Sequence, residues 1–145
     1  MSRLIGLDHG SRRIGVAVGD TETGMAFARP ALRRRGGWRD LQALAELARR
    51  EEAATVVVGL PRNMDGTEGS QAAAARAFGE QLAAIGLAVV FVDERLSSWQ
   101  AAEDLAQVGR RPDRQSGELD SAAATVILQE YLRAGEPPRS PQEVE

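Results

Sequence analysis

The chain has 145 residues, with 18 basic and 21 acidic side chains and a formal net charge of −3. It has no cysteine, which excludes a disulfide framework, thiol catalysis and cysteine-ligated zinc. No apolar run approaches the ~18 residues of a membrane span and no signal-peptide pattern follows Met1-Ser2-Arg3, so the expectation is a soluble, cytoplasmic protein with one core-forming domain.

From the N-terminus, "LIGLDHGSRRIGVAVGD" reads as two strands, about 3–8 and 13–19, joined by a turn at His9–Arg12 where Gly10 gives backbone freedom. Residues 25–33 form a weaker third strand, and Pro30 predicts an edge position for it. Gly36-Gly37 breaks the chain before a helix over Asp40–Arg50, whose Leu41, Leu44, Ala45 and Ala48 share a face. "TVVVG", ending before Pro61, is a buried strand, and "PRNMDGTEGS" is a loop. A second helix covers Ser70–Ile85 and stops at Gly86. "LAVVFVDE" is a fifth strand. Helices over Ser97–Val108 and Asp120–Ala134 follow, separated by the loop "GRRPDRQSGE". The domain spans 1–135, and 136–145 reads as a flexible tail. Short turns make the first three strands an antiparallel meander. Helical crossovers make the later two parallel to the first, in a mixed sheet of α/β class with helices on both faces.

Alternation puts Ile5 and Leu7 on one face of the first strand and Leu4, Gly6 and Asp8 on the other. Asp8 then stands at the carboxyl end of a central strand, where α/β sheets form their sites. Glu94 stands at the same end of the fifth strand, and Asp120 opens the last helix, whose small residues Ser121–Ala124 permit close packing on the sheet. Each acid also has a plain structural reading: a solvated turn for Asp8, an ion pair with Arg95 or Arg12 for Glu94, a helix cap for Asp120. Together they would repel unless a cation lay between them, and hard oxygen donors suit one or two Mg²⁺ or Mn²⁺ ions, the apparatus of phosphodiester cleavage. Asp20 ends an antiparallel strand and belongs at the opposite end of the sheet.

The blocks "GLDHGSRRIGVAVGD", "VVVGLPRNMDGTEGSQA", "VDERLSSWQAAEDL" and "LDSAAATVILQEYL" together resemble the bacterial YqgF/RuvX family, in order and from about Leu4 to Leu132. The resemblance implies an RNase H-like fold, a five-stranded sheet of order 3-2-1-4-5 flanked by helices. It also implies a metal-dependent nuclease that processes the 5′ end of pre-16S ribosomal RNA, with Asp8, Glu94 and Asp120 as catalytic and metal-binding acids. The alternative activity is Holliday junction resolution on branched DNA. The chain departs from relatives of this fold in two places. Its fourth strand ends Gly59-Leu60-Pro61 without an acid, and Ala123 and Ala124 stand where a second helix acid is often found.

All 18 cations are arginine, a side chain suited to phosphate although genomic base composition equally explains the bias. Arg13, Arg62, Asn63, Arg95, Arg110 and Arg111 are the candidate nucleic-acid contacts. Arg13 alternatively braces Asp8 or Asp20. His9, the single histidine, reads as a turn residue facing away from Asp8, and Trp99 as core before base-stacking. The implied partner is structured RNA or branched DNA, met by a monomer or a homodimer. An inert RNA-binding factor and an actin-like ATP-binding module are the remaining alternatives; the latter needs two such domains.

Overall fold

Leu4–Leu7 carries no polar side chain, and such a run forms a strand covered on both faces. In the computed structural model, which describes residues 2–61, 67–93 and 118–134 (the side chains of 118–120 excepted), it is the middle of β1, Arg3–His9. The described elements continue as β2 (Arg13–Asp20), β3 (Ala26–Arg33), α1 (Trp38–Arg50), β4 (Ala53–Leu60), α2 (Ser70–Ala84), β5 (Ala88–Asp93) and α3 (Glu118–Arg133). The sheet order is β3-β2-β1-β4-β5. β1 and β2 pair antiparallel, as do β2 and β3, whereas β4 is parallel to β1 and β5 to β4. The expected order and the edge position of the strand holding Pro30 are both found.

Alternation distributes the apolar side chains between two layers. Ile5, Leu7, Val16, Val56 and Val58 pack under α1 and α2 with Leu44, Leu47, Phe78 and Leu82. Leu4, Ala17 and Val57 pack under α3 with Ala124, Ile127 and Leu128. No helix among the described residues is long and apolar enough to cross a membrane.

Several boundaries differ from the sequence reading. His9 extends β1 and is buried instead of lying in the turn, because its ring packs on Phe78 of α2, centroid to centroid 4.9 Å. α1 begins at Trp38, two residues early, because Asp40 accepts hydrogen bonds from the Arg35 (2.8 Å) and Gly36 (3.2 Å) amides and so organises the turn ahead of it. Gly36 and Gly37 take positive φ there, 90° and 56°, which other residues adopt with strain. α3 begins at Glu118, ahead of Asp120. Asp20 pairs with Arg3 at the far end of the sheet from Asp8. The helix expected over Ser97–Val108, the loop after it and the tail lie outside the described residues.

α3 lies unusually close to β1. A Cβ at Gly6 would sit 2.8 Å from the Leu128 Cβ and 2.9 Å from the Ala124 carbonyl oxygen. Gly6→Ala should therefore destabilise the protein by about 1–3 kcal/mol, the usual cost of overpacking a core. Chemical denaturation of the two proteins measures it.

A candidate active site at the carboxyl end of the central strands

Strands β1, β4 and β5 run in one direction, so their carboxyl ends share one edge of the sheet. Asp8 is half-buried there, on the α3 face. Gly15 stands directly opposite it on β2 and sets no side chain beside the carboxylate. Arg13 is exposed two residues before Gly15, so alternation places it on the same face as Asp8. Arg13 and Asp20 are the first and last residues of β2, so bracing of Asp20 by Arg13 is excluded. Asp20 instead accepts a hydrogen bond from the Thr23 amide, 2.7 Å away, which holds its carboxyl below the usual range.

The start of α3 is fixed to this end by a buried hydroxyl. The β2–β3 ladder shifts register between Ile14 and Val16, so that Leu32 faces Ile14 but Arg29 faces Val16. Pro30, without an N–H, lies in the extra length of β3. Ser121 is fully buried at this bulge. Its Oγ accepts from the Val16 amide at 3.0 Å and donates to the Arg29 carbonyl oxygen, so one hydroxyl satisfies both backbone groups. Farther along α3, the Gln129 side chain donates to the Gly24 carbonyl oxygen (2.7 Å) and accepts from the Ala26 amide (3.0 Å).

These contacts set the direction of α3. Ala124 and Leu128 lie over Gly6, and Leu132 lies against Gly19, which pairs with Leu4. α3 therefore runs opposite to β1. Two residues of strand from Gly6 to Asp8 span about 6.6 Å. Four residues of helix back from Ala124 to Asp120 span about 6 Å in the same direction. The Asp120 backbone is thus level with Asp8. On β5, Phe91 and Val89 face α1 and α2 while Val92 joins the α3 layer. The described part of β5 ends at Asp93, opposite Leu60 and one residue short of Glu94.

Glu94, Arg62, Asn63, Arg95, Arg110, Arg111 and Trp99 lie outside the described residues, as does the side chain of Asp120. Among the described residues no three His, Asp or Glu side chains gather to hold an ion.

Behind the site, on the other face, Arg34 ties three elements together. Its backbone N–H donates to the Arg12 carbonyl oxygen, and its guanidinium reaches the Gly10 carbonyl oxygen at 3.3 Å and Asp40 at 3.4 Å. The turn that follows Asp8 is thereby fastened to β3 and α1. Asp40 is almost fully buried; burial works against its charge, but the two amides and Arg34 outweigh it and hold its carboxyl below the usual range. Burial pushes the His9 imidazole down from its ordinary value; the Arg34 charge adds to this, and Asp40 opposes it. Sequence reasoning missed both Ser121 and Arg34. The first looks like an ordinary small helix residue, and the second like one of a run of solvated arginines.

The model of the family described as "RuvX: Holliday junction resolvase" matches residues 2–134. A protein of Anaeromyxobacter dehalogenans named "Putative pre-16S rRNA nuclease" is 48% identical over 131 residues, 90% of this chain and 96% of that one. One of the same name from Opitutus terrae is 42% identical over 145 residues, 99% of each chain. Among solved structures, Thermus thermophilus RuvC in complex with a Holliday junction substrate superposes with a TM-score of 0.59 at 16% identity, over 94% of this chain and 98% of that one. At that identity the likeness shows the shared fold.

Two predictions follow from the cluster behind the site. Asp40→Ala should cost about 1–3 kcal/mol, because it leaves two turn amides and a guanidinium without their acceptor, and Asp40→Asn, which keeps an acceptor oxygen, should cost less. Denaturant titration of both variants ranks them. A lowered His9 pKa means that the unfolded chain takes up its proton first as pH falls. The contribution of His9 to stability is therefore present above its ordinary value near 6.5 and is lost as pH drops toward the folded value. The melting temperature of the wild type should fall over that window, and His9→Phe should flatten the fall.

Proposed function

The chain belongs to the RuvX Holliday junction resolvase family, and from that premise we propose that it cleaves phosphodiester bonds in the 5′ leader of precursor 16S ribosomal RNA. It is a nuclease, a hydrolase of nucleic acid, with an RNase H-like fold shared with RuvC. The observation that supports the site is the convergence of Asp8 and the Asp120 backbone at one end of the sheet, the end toward which the described part of β5 runs as far as Asp93. In this reading Asp8, Glu94 and Asp120 are the catalytic acids and would hold Mg²⁺ or Mn²⁺, the cations that an all-carboxylate donor set suits. When bound, such an ion neutralises phosphate charge and acidifies water.

The chain's own residues do the rest. Asp8 brings negative charge to the end of a strand held rigid on both sides. Arg13, on the same face, offers a charge-assisted contact to a phosphate oxygen. Arg62, Asn63, Arg95, Arg110 and Arg111 are proposed as further contacts along the strand being cut. The ribosomal substrate is supported by relatives at 42–48% identity that carry that name. The junction reading is supported by the description of the family model. The first rests on full-length relatives of high identity and is preferred.

The test is cleavage of a pre-16S leader RNA and of a four-way DNA junction, with and without Mg²⁺ or Mn²⁺. Cleavage of the RNA should require the ion. Asp8→Asn should lower the rate by about two orders of magnitude or more, as removal of a charge-stabilising group does, with an unchanged melting profile. RNA cleavage undiminished in Asp8→Asn would sink this site, and cleavage of the junction alone would transfer the assignment to branched DNA.

A further inference from the structure

Trp38 is the first residue of α1 and is 65% exposed, more than any other large apolar side chain among the described residues. The two positive-φ glycines before it turn the chain so that this indole begins the helix at the surface. Beside it is a groove of about 550 Å³, floored by Ile14 and Leu32 and rimmed by Arg33, Arg35, Trp38 and Arg39. The three arginines are exposed, and no ion pair among the described residues engages them. The groove's two acids are already engaged: Asp40 with Arg34 and the turn amides, Glu46 with Arg49. The Arg39 guanidinium lies 5.9 Å from the centre of the Trp38 ring, which makes one cationic, π-faced surface.

The groove opens on the α1 face of the sheet, opposite the face that carries Asp8, and Arg33 at its rim connects the two. Arg33 pairs across the ladder with Arg13, which shares a face with Asp8. One strand separates β3 from β1, so their backbones stand about 9–10 Å apart within the sheet. Cations and an open aromatic face are the two elements by which proteins hold unpaired nucleotides. A base inside a duplex has both faces covered by its neighbours in the stack and cannot offer one to an indole.

We propose that this groove seats an unpaired stretch of the RNA substrate, with one base stacked on Trp38 and the flanking phosphates against Arg33, Arg35 and Arg39. The proposal rests on the nuclease reading above and specifies its substrate: a paired region at the acids with a single-stranded extension leading around the β2–β3 end of the sheet.

The experiment uses the full chain carrying Asp8→Asn and two labelled RNAs with the same duplex, one blunt and one with an unpaired tail. Fluorescence anisotropy at fixed salt should show tighter binding of the tailed RNA. Trp38→Ala should remove about tenfold of that preference, the loss expected for one stacked base, and leave blunt binding unchanged. Trp38→Phe should restore most of it. The melting temperature should not move, since the indole packs little in the fold. Equal binding of the two RNAs, or a tail preference that survives Trp38→Ala, would overturn the proposal. A DNA tail bound as tightly as the RNA tail would overturn its assignment to RNA. Cleavage of the same RNAs by the Asp8→Asn protein is measured in parallel. Undiminished cleavage there would overturn the Asp8 site on which the nuclease reading rests, whereas cleavage abolished with no tail preference in the protein that keeps Trp38 overturns the groove alone.

Discussion

A single buried hydroxyl sets the geometry on which the site depends. Ser121 enters the bulge between β2 and β3 and satisfies an amide on one strand and a carbonyl on the other. Without it, a register shift beside a proline would leave two backbone groups buried and unpaired, which folded proteins avoid. The same contact makes the start of α3 a fixture of the sheet. Gly6 completes the arrangement by allowing the helix backbone to rest almost on β1. Helix and strand then run oppositely and in close register, so the position of Asp120 relative to Asp8 follows from packing, independently of any charge at the site. Two carboxylates repel, and an apolar helix–sheet contact of this kind can hold their backbones together against that repulsion.

The other face of the sheet restrains the same end by different means. Arg34 holds the turn after Asp8 through a carbonyl oxygen and is itself held by Asp40. His9 packs its ring on Phe78 where a polar strand end would otherwise meet solvent. Asp8 is thus flanked in sequence by groups committed to structure, and alternation alone decides that the carboxylate emerges on the α3 side while the imidazole is buried on the other. Two neighbouring polar residues serve opposite layers. The basic groove at Trp38 grows from the same construction, because the turn that Asp40 organises also sets where α1 begins.

Much of the fold was legible in residue patterns. The apolar runs at Leu4–Leu7 and "TVVVG" could only be covered strands, Pro30 pointed to an edge, and Gly86 with its φ of 108° ended α2 as its residue type suggests. The small residues from Ser121 to Ala124 did predict close helix packing. Less visible were features that arise between distant segments. The bulge depends on the relative register of β2 and β3, and β3 has a mixed burial pattern from which no register can be read. Arg34 looks the same in sequence as Arg33 and Arg35, yet only Arg34 faces a buried carboxylate.

By itself the sequence determined the acid at Asp8 near the end of the first strand, the alternation that aims it, the antiparallel meander with two parallel strands after it, and the motif blocks that carry the family resemblance, which in turn implied the strand order. These are properties of local periodicity and of residue type at fixed spacing, which a linear chain records directly. The tertiary structure alone decided that Ser121 would close a break in the ladder, that α3 would lie level with Asp8, and that Trp38 would stand exposed beside arginines that no ion pair among the described residues engages. Those outcomes depend on which backbone groups lack partners and which surfaces lack cover after the sheet has formed. Such vacancies come into being only when segments more than a hundred residues apart, as Val16 and Ser121 are, are brought into contact.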